Sequence, residues 1–366
     1  MSNIAARSRS SRRFAHSLNN IHVHEIPIVC TATVDYSAAN EYASAHYNIP
    51  RYFDYDNEVQ FAVDHPIYDG RVLQSKYHDE REMLSENGLA LIKSPIRMQR
   101  IDWSNVNDVR ESYLPELERI LVCNLFASHK IFSCCFWNPM LRGEGLKISR
   151  NEGGTSTANI ASLVHIDTDV GAYESIDELL NAVDKNKVEY TSTAVTDFNV
   201  KDMASLINEK KRFAIINFWR NIDDEPVSSA PLAILSTRYN EDEHQHRLSG
   251  LPNSRPDMKQ SRYYVFPLAT KDEVIVFYQY DRNAKQTSDM WHCAIKPQQQ
   301  QHHGVGNEES TRPRRSFDIR AMVVFDENVP EELDRFGADR IRPKLTMEES
   351  ECLCEKQGED RRSKTK

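Results

Sequence analysis

The chain has 366 residues, with 46 Lys and Arg against 55 Asp and Glu, a formal net charge of -9 at pH 7. That balance argues against a general nucleic-acid binder, which needs a broad cationic surface, and points to a small-molecule partner. No apolar run reaches the roughly 18 residues needed to cross a bilayer, and charged residues stand at the start where a secretory leader has its apolar stretch.

The seven cysteines (Cys30, Cys123, Cys134, Cys135, Cys293, Cys352 and Cys354) form no pair of CxxC elements. An odd number without metal-type spacing suits a reducing compartment, and a cytoplasmic location is expected. Residues 1–20 are rich in Arg and Ser and lack Asp and Glu. They read as part of a disordered tail spanning residues 1–24, with organelle import as the other reading of that composition.

Residues 25–344 are expected to form one domain. Its first part, to about residue 90, has many Tyr, Asn and Asp and little periodicity, and reads as a covering layer. "MLSENGLALIKSPI" predicts a helix ending at Asn87-Gly88 and then a short strand. In "DWSNVNDVRESYLPELERILVCNLF", Val106, Val109, Tyr113, Leu117, Ile120 and Leu121 recur at helical spacing behind Ser104 as N-cap, and Pro115 is expected to break or kink the helix. "HKIFSCCFWNPML" reads as a buried strand. Ser175 and Glu178 form a capping box before "IDELLNAV", and "VKDMASLINEKK" predicts a further helix.

From Arg212 onward, short apolar and aromatic runs alternate with turns: "FAIINFWR", "PLAILS", "RYYVFPL", "EVIVFYQY", "MWHCAI" and "SFDIRAMVVF". The pattern predicts a mainly β protein with helices. Its expected core is a double-stranded β-helix of jelly-roll or cupin-like type over about residues 160–326, under an N-terminal helical and irregular layer. A polar insertion at 297–313 and a charged tail at 345–366 flank the last strand.

"LVHIDTD" places His165 and Asp167 two residues apart at the end of an apolar run. In an extended segment such residues share a face, so both reach one metal ion, and His292 in "MWHCAI" supplies a third ligand from a later strand. Two His and one carboxylate leave coordination positions open, as in non-haem Fe(II) oxygenases that use O2. A zinc hydrolase uses similar ligands. In a metal-free jelly-roll binding protein all three residues are structural. An iron site that consumes 2-oxoglutarate also needs a carboxylate clamp, and "RPRRSFDIRAMVVF" sets Arg314 and Ser316 on one strand face, continued by Asp318 and Arg320.

In this order the motifs resemble the hydroxylase/desaturase family named after AsaB, within the Fe(II)/2-oxoglutarate dioxygenase superfamily. The resemblance spans Glu86 to Phe325 and rests on "LSENGLALIKSP", "YLPELERIL", "NPMLR", "LVHIDTD", "FAIINFWRNI", "PLAILSTRY", "YYVFPLATKDEVIVFYQYD", "MWHCAI" and "RRSFDIRAMVVF". It implies that His165, Asp167 and His292 bind iron, that Arg314 and Ser316 hold 2-oxoglutarate, and that Asn217, Trp219 and Arg220 line the cavity. Asn221 stands where the family has Pro, and the polar insertion lengthens the path from His292 to Arg314. Arg312, Arg315 and Arg320 are therefore alternative clamps. The resemblance implies hydrogen abstraction from an unactivated carbon in specialised metabolism, with hydroxylation, desaturation or ring closure as outcomes. An acidic substrate, such as an N-prenylated amino acid of the algal kainoid-synthase type, would meet Arg220, Arg238, Arg247 or Arg262. A monomer or weak homo-oligomer is expected.

Overall fold

Two six-stranded sheets organise the chain, in the orders β10-β7-β8-β2-β1-β11 and β3-β9-β6-β12-β4-β5. The computed structural model describes residues 26–39, 58–95, 101–151, 154–168, 170, 173, 175–236, 262–283, 289–297 and 313–336. The first sheet contains β1 (Ile28–Ala39), β2 (Glu58–Asp69), β7 (Leu232–Ser236), β8 (Arg262–Val265), β10 (His292–Ala294) and β11 (Lys296–Pro297). The second contains β3 (Leu89–Lys93), β4 (Ile131–Gly143), β5 (Ser156–Ala158), β6 (Lys211–Asn221), β9 (Glu273–Asp281) and β12 (Arg315–Asn328). Most pairs are antiparallel, and apolar side chains from both sheets, among them Leu232, Ile234, Phe218 and Ile275, join one core. The fold is the expected jelly roll with added helices.

β6 and β12 are central strands, buried on both faces over nearly their whole length. Their register sets Asn217 opposite Arg320, Trp219 opposite Asp318 and Asn221 opposite Ser316, while β4 brings Arg142 opposite Ser316. Because side chains alternate across a strand, this register gathers the polar residues of β12 with Asn217 and Arg142 on one side of the sheet.

The early part of the chain differs from its expected role as a covering layer. β1 and β2 are 12-residue strands, paired antiparallel from Ile28↔Tyr68 to Ala39↔Glu58, and they belong to the first sheet. The jelly-roll sheets therefore begin well before residue 160. The alternation in β1 is weak because its inward side chains, Ala32 and Val34, are small, while Ile28 is 57% exposed. Here strand formation is decided by partners far along the chain, β8 and β11, which no local window contains.

The segment before β4 also departs from a simple helix. α-Helical turns at Val106–Asp108 and Leu114–Arg119 alternate with π-helical turns at Val109–Tyr113 and Ile120–Leu125. Asn105, not Ser104, caps it by accepting from the Asn107 N–H at 3.0 Å, while Ser104 donates to Asp102. Pro115 starts an α-helical turn behind a wide π turn, the place where a missing N–H and a bulky ring are tolerated.

Other local signals match. Gly88, at φ 76°, ends the Glu80–Asn87 helix by donating to the Leu84 carbonyl at 2.8 Å. Ser175 accepts from the Glu178 N–H at 3.1 Å at the start of Ile176–Lys185, and Val200–Asn208 is the further helix. The tails at 1–24 and 345–366 lie outside the described residues, as do residues 298–312 of the polar insertion. Among the described residues no helix is long and apolar enough to cross a membrane.

Candidate metal centre

The His165 segment is an extended stretch bridged to β1 and β10, both strands of the first sheet. Val164 donates to the Asp35 carbonyl of β1 at 2.9 Å, and His165 and His292 exchange backbone hydrogen bonds of 3.1 and 3.0 Å. That two-bond bridge brings the imidazole centroids to 4.3 Å. Asp167 follows two residues later, its N–H donating to the Gln279 side chain at 2.7 Å. Gln279 is the extra residue of a bulge where β9 pairs with β6, between Tyr280↔Ile215 and Tyr278↔Ile216. Its amide also donates to the Met290 carbonyl at 3.2 Å, so one bulged side chain ties the Asp167 turn to the approach of β10.

One ligand atom each from His165, Asp167 and His292 lies within 4.8 Å of the others. The His165 Nδ1 meets the Leu163 carbonyl at 2.7 Å, and the His292 Nδ1 meets the Met290 carbonyl at 3.2 Å. A carbonyl only accepts, so each Nδ1 carries a proton and each Nε2 is the ring atom turned towards Asp167. The two Nε2 atoms face the two oxygens of Asp167, at 3.6 Å from His165 and 3.3 Å from His292. Three ligand-type atoms converging on one point suit a metal cation placed among them, with the carbonyls as the supporting layer that fixes the rings.

Electrostatics act in the same sense. Burial, and then His292, push the His165 imidazole down to about 4, which keeps it neutral at pH 7. Burial alone would favour a neutral Asp167, but Arg320 and the two histidines outweigh it and hold the carboxyl well below the usual carboxylate range. Arg320 lies 2.7 Å from Asp167 Oδ1, and the Asn217 amide donates to Oδ2 at 2.6 Å. These two anchors are cross-strand partners on β12 and β6.

Beside this group lies a narrow cavity walled by Trp219, Leu232 and Phe277 and by the polar side chains of Arg142, Arg314 and Asp318. Arg142 pairs with Asp318 at 2.7 Å. Arg314 is buried but has no ion pair among the described residues: it donates to the Ala230 carbonyl, lies 5.4 Å over the Trp219 ring, and leaves its Nε without a partner. Burial, then the Arg142 charge, push its guanidinium down to about 10. The Ser316 hydroxyl is fully buried and also lacks a partner. A buried cation and a buried hydroxyl with open hydrogen-bonding capacity match the needs of a carboxylate ligand.

The structure separates other residues from this pocket. Arg220 is on the opposite face of β6 from Asn217 and Trp219, as the strand period of two requires. It donates to the Lys271 and Ser94 carbonyls and pairs with Glu116, so it anchors the helical cover and does not line the cavity. Arg315 is exposed, Arg262 stacks 5.4 Å from Tyr68, and Arg320 is engaged with Asp167. Arg238, Arg247 and Arg312 lie outside the described residues. Sequence reasoning missed Gln279 and Arg142. Gln279 had one available signal, a lone amide in the apolar run "EVIVFYQY".

A family model described as the oxidoreductase/YMDC permease-like domain matches residues 34–324. The chain belongs to this family. Within the oxidoreductase/YMDC permease-like family, the matched span includes every site residue named above, the second half of β1 and all of β2. A relative from Methylophilus leisingeri, an uncharacterized protein in the dcmA 3' region, is 26% identical over 164 residues, covering 42% of this chain and 71% of its own. Among solved structures, the iron and alpha-ketoglutarate-dependent endoperoxidase NvfI is similar in two forms. A form described as having a different conformation superposes with a TM-score of 0.51 at 17% identity, over 81% of this chain and 97% of that one. The other gives 0.50 at 15% identity, over 81% and 98%. At these identities the likeness establishes the fold.

Proposed function

We propose that the protein is an Fe(II)- and 2-oxoglutarate-dependent dioxygenase. The observation that carries this reading is the convergence of two Nε2 atoms and the Asp167 carboxylate on one point, beside a buried Arg314 that has no carboxylate of its own among the described residues. The oxidoreductase family membership and the fold shared with an iron and alpha-ketoglutarate-dependent enzyme support it.

In this reading His165, Asp167 and His292 hold the iron, while Arg314 and Ser316 receive the distal carboxylate of 2-oxoglutarate. Bound together with O2, these groups supply oxidative decarboxylation to succinate and the power to remove hydrogen from an unactivated substrate carbon. The chain's own part is orientation. Leu163 and Met290 carbonyls fix the imidazole tautomers, Asn217 and Arg320 fix the carboxylate, and Gln279 ties the two ligand segments together. Trp219, Leu232 and Phe277 exclude water from the reacting centre. Arg314 is the clamp preferred over Arg320, which already holds Asp167, and over Arg315, which is exposed.

The finer reading places the protein in the AsaB-like group, in specialised metabolism, acting on a carboxylate-bearing small molecule by hydroxylation, desaturation or oxidative cyclisation. An N-prenylated amino acid is the substrate to try first. Unpaired thiols at Cys30, Cys123, Cys134, Cys135 and Cys293 support a cytoplasmic site of action, as a monomer or weak homo-oligomer. Anaerobic titration with Fe(II) and 2-oxoglutarate tests the central claim. A weak visible charge-transfer band should appear, and succinate release should be lost in His165→Ala. No band, with zinc-dependent hydrolysis in its place, would overturn the reading.

A further inference from the structure

We propose that Arg320 is a positioning residue that exchanges between two carboxylates, holding Asp167 in the metal-free protein and moving to Asp318 when a divalent cation takes the Asp167 oxygen. The inference rests on the metal-site reading above. Asp167 Oδ1 is the oxygen 3.6 Å from His165 Nε2, and it is also the oxygen that Arg320 Nη2 holds at 2.7 Å. A cation and a guanidinium on the same oxygen compete for the same lone pairs and repel each other.

Arg320 has somewhere to go. Its Nε is buried without a hydrogen-bond partner, and so is Oδ1 of Asp318. The two residues are two apart on β12 and share a face, so a donor and an acceptor, each left open at some energetic penalty, lie on neighbouring side chains. The exchange asks for rotation of the Arg320 side chain and for no change in the pairing of β12. Asp318 stays anchored during the exchange because its other oxygen accepts from Arg142 Nε at 2.7 Å. Asp167 stays anchored because the Asn217 amide holds Oδ2 at 2.6 Å.

The charges around the cavity favour the same movement. Among the described residues Arg142, Arg314 and Arg320 face Asp167 and Asp318 alone, so a dication enters a region that already has a cationic excess. Withdrawal of Arg320 towards Asp318 moves one positive charge away from the ion and leaves it beside an anion. Asp318 thereby controls how readily the metal binds without touching it.

The test is a double-mutant cycle read as Co(II) affinity by anaerobic calorimetry of the full chain, without cosubstrate. Asp318→Asn removes the landing place and should weaken Co(II) binding at least about tenfold, equivalent to about 1.4 kcal/mol. In an Arg320→Gln background there is nothing to relocate, and the same Asp318→Asn change should cost less than about threefold. Equal losses in both backgrounds would mean that Asp318 acts by direct attraction alone, and would overturn the exchange. If the native chain binds no Co(II), the metal-site reading falls and this inference with it. Binding with additive effects removes only this inference. A crystal structure of the Co(II)-loaded native chain decides the matter without variants: Arg320 Nε on Asp318 Oδ1 supports the exchange, and Arg320 still on Asp167 Oδ1 refutes it.

Discussion

Replacing Arg314 with Met should separate the stability of this protein from its ligand binding. Burial, followed by repulsion from Arg142, pushes the guanidinium down to about 10. A base whose pKa falls on folding is penalised in its charged form, here by about 3 kcal/mol below pH 10. Met has a similar length and no charge, so it removes that penalty. It also removes the hydrogen bond to the Ala230 carbonyl and the stacking over Trp219, each worth about 1 kcal/mol. The balance is a gain of about 1 kcal/mol, or about 2 °C in Tm for a chain of this size. Binding should move the other way. Loss of two charge-assisted hydrogen bonds to the distal carboxylate costs about 3–4 kcal/mol, several hundredfold in the Kd for 2-oxoglutarate. Scanning calorimetry with and without 2-oxoglutarate reads both quantities. A variant that binds 2-oxoglutarate as tightly as the native protein would refute the clamp, and one that loses several kcal/mol would refute the unpaired buried charge.

Gln279→Leu should destabilise the protein by about 1–3 kcal/mol, because the Asp167 N–H loses its partner and the Met290 carbonyl is left with the His292 Nδ1 alone. Urea denaturation measures that loss, and Co(II) affinity should fall with it because both ligand segments loosen. Asp281→Ala should cost about 3–5 kcal/mol by leaving Arg212 buried without its closest carboxylate, 2.7 Å away, though Glu327 remains. Because this pair lies outside the cavity lining, the metal affinity of the folded variant should stay native. Asp326 is held down to about 2 by hydrogen bonds from Lys130 and Lys211. Between its unfolded value near 3.8 and about 2 the unfolded chain binds more protons, so stability should fall as pH drops through that window. Asp326→Asn should flatten this part of the acid-denaturation curve.

Local sequence determined those features whose physics is local. Gly88 ends a helix because only a residue tolerant of positive φ turns the chain there, and Ser175 starts one because its hydroxyl reaches the Glu178 N–H. The apolar runs of β6, β9 and β12 are long enough to mark buried strands, and the alternation of "RRSFDIR" placed Arg314, Ser316, Asp318 and Arg320 on one face before any partner strand was known. The spacing of His165 and Asp167 likewise made a shared ligand point geometrically accessible.

Tertiary structure decided what depends on residues far apart in the chain. β1 and β2 are strands because each offers the other hydrogen bonds and β8 and β11 offer more, although the inward side chains of β1 are too small to announce it. Arg220 follows Trp219 in sequence yet leaves the cavity, because β6 is covered on both faces and its alternate side chains enter different compartments. Gln279 reaches Asp167 only through a bulge, and a bulge is a property of strand pairing. The division of labour among the arginines was set in the same way. Arg142, Arg314 and Arg320 carry identical charges, and only the placement of Asp318, Asp167 and the Ala230 carbonyl leaves one of them, Arg314, without an anion among the described residues.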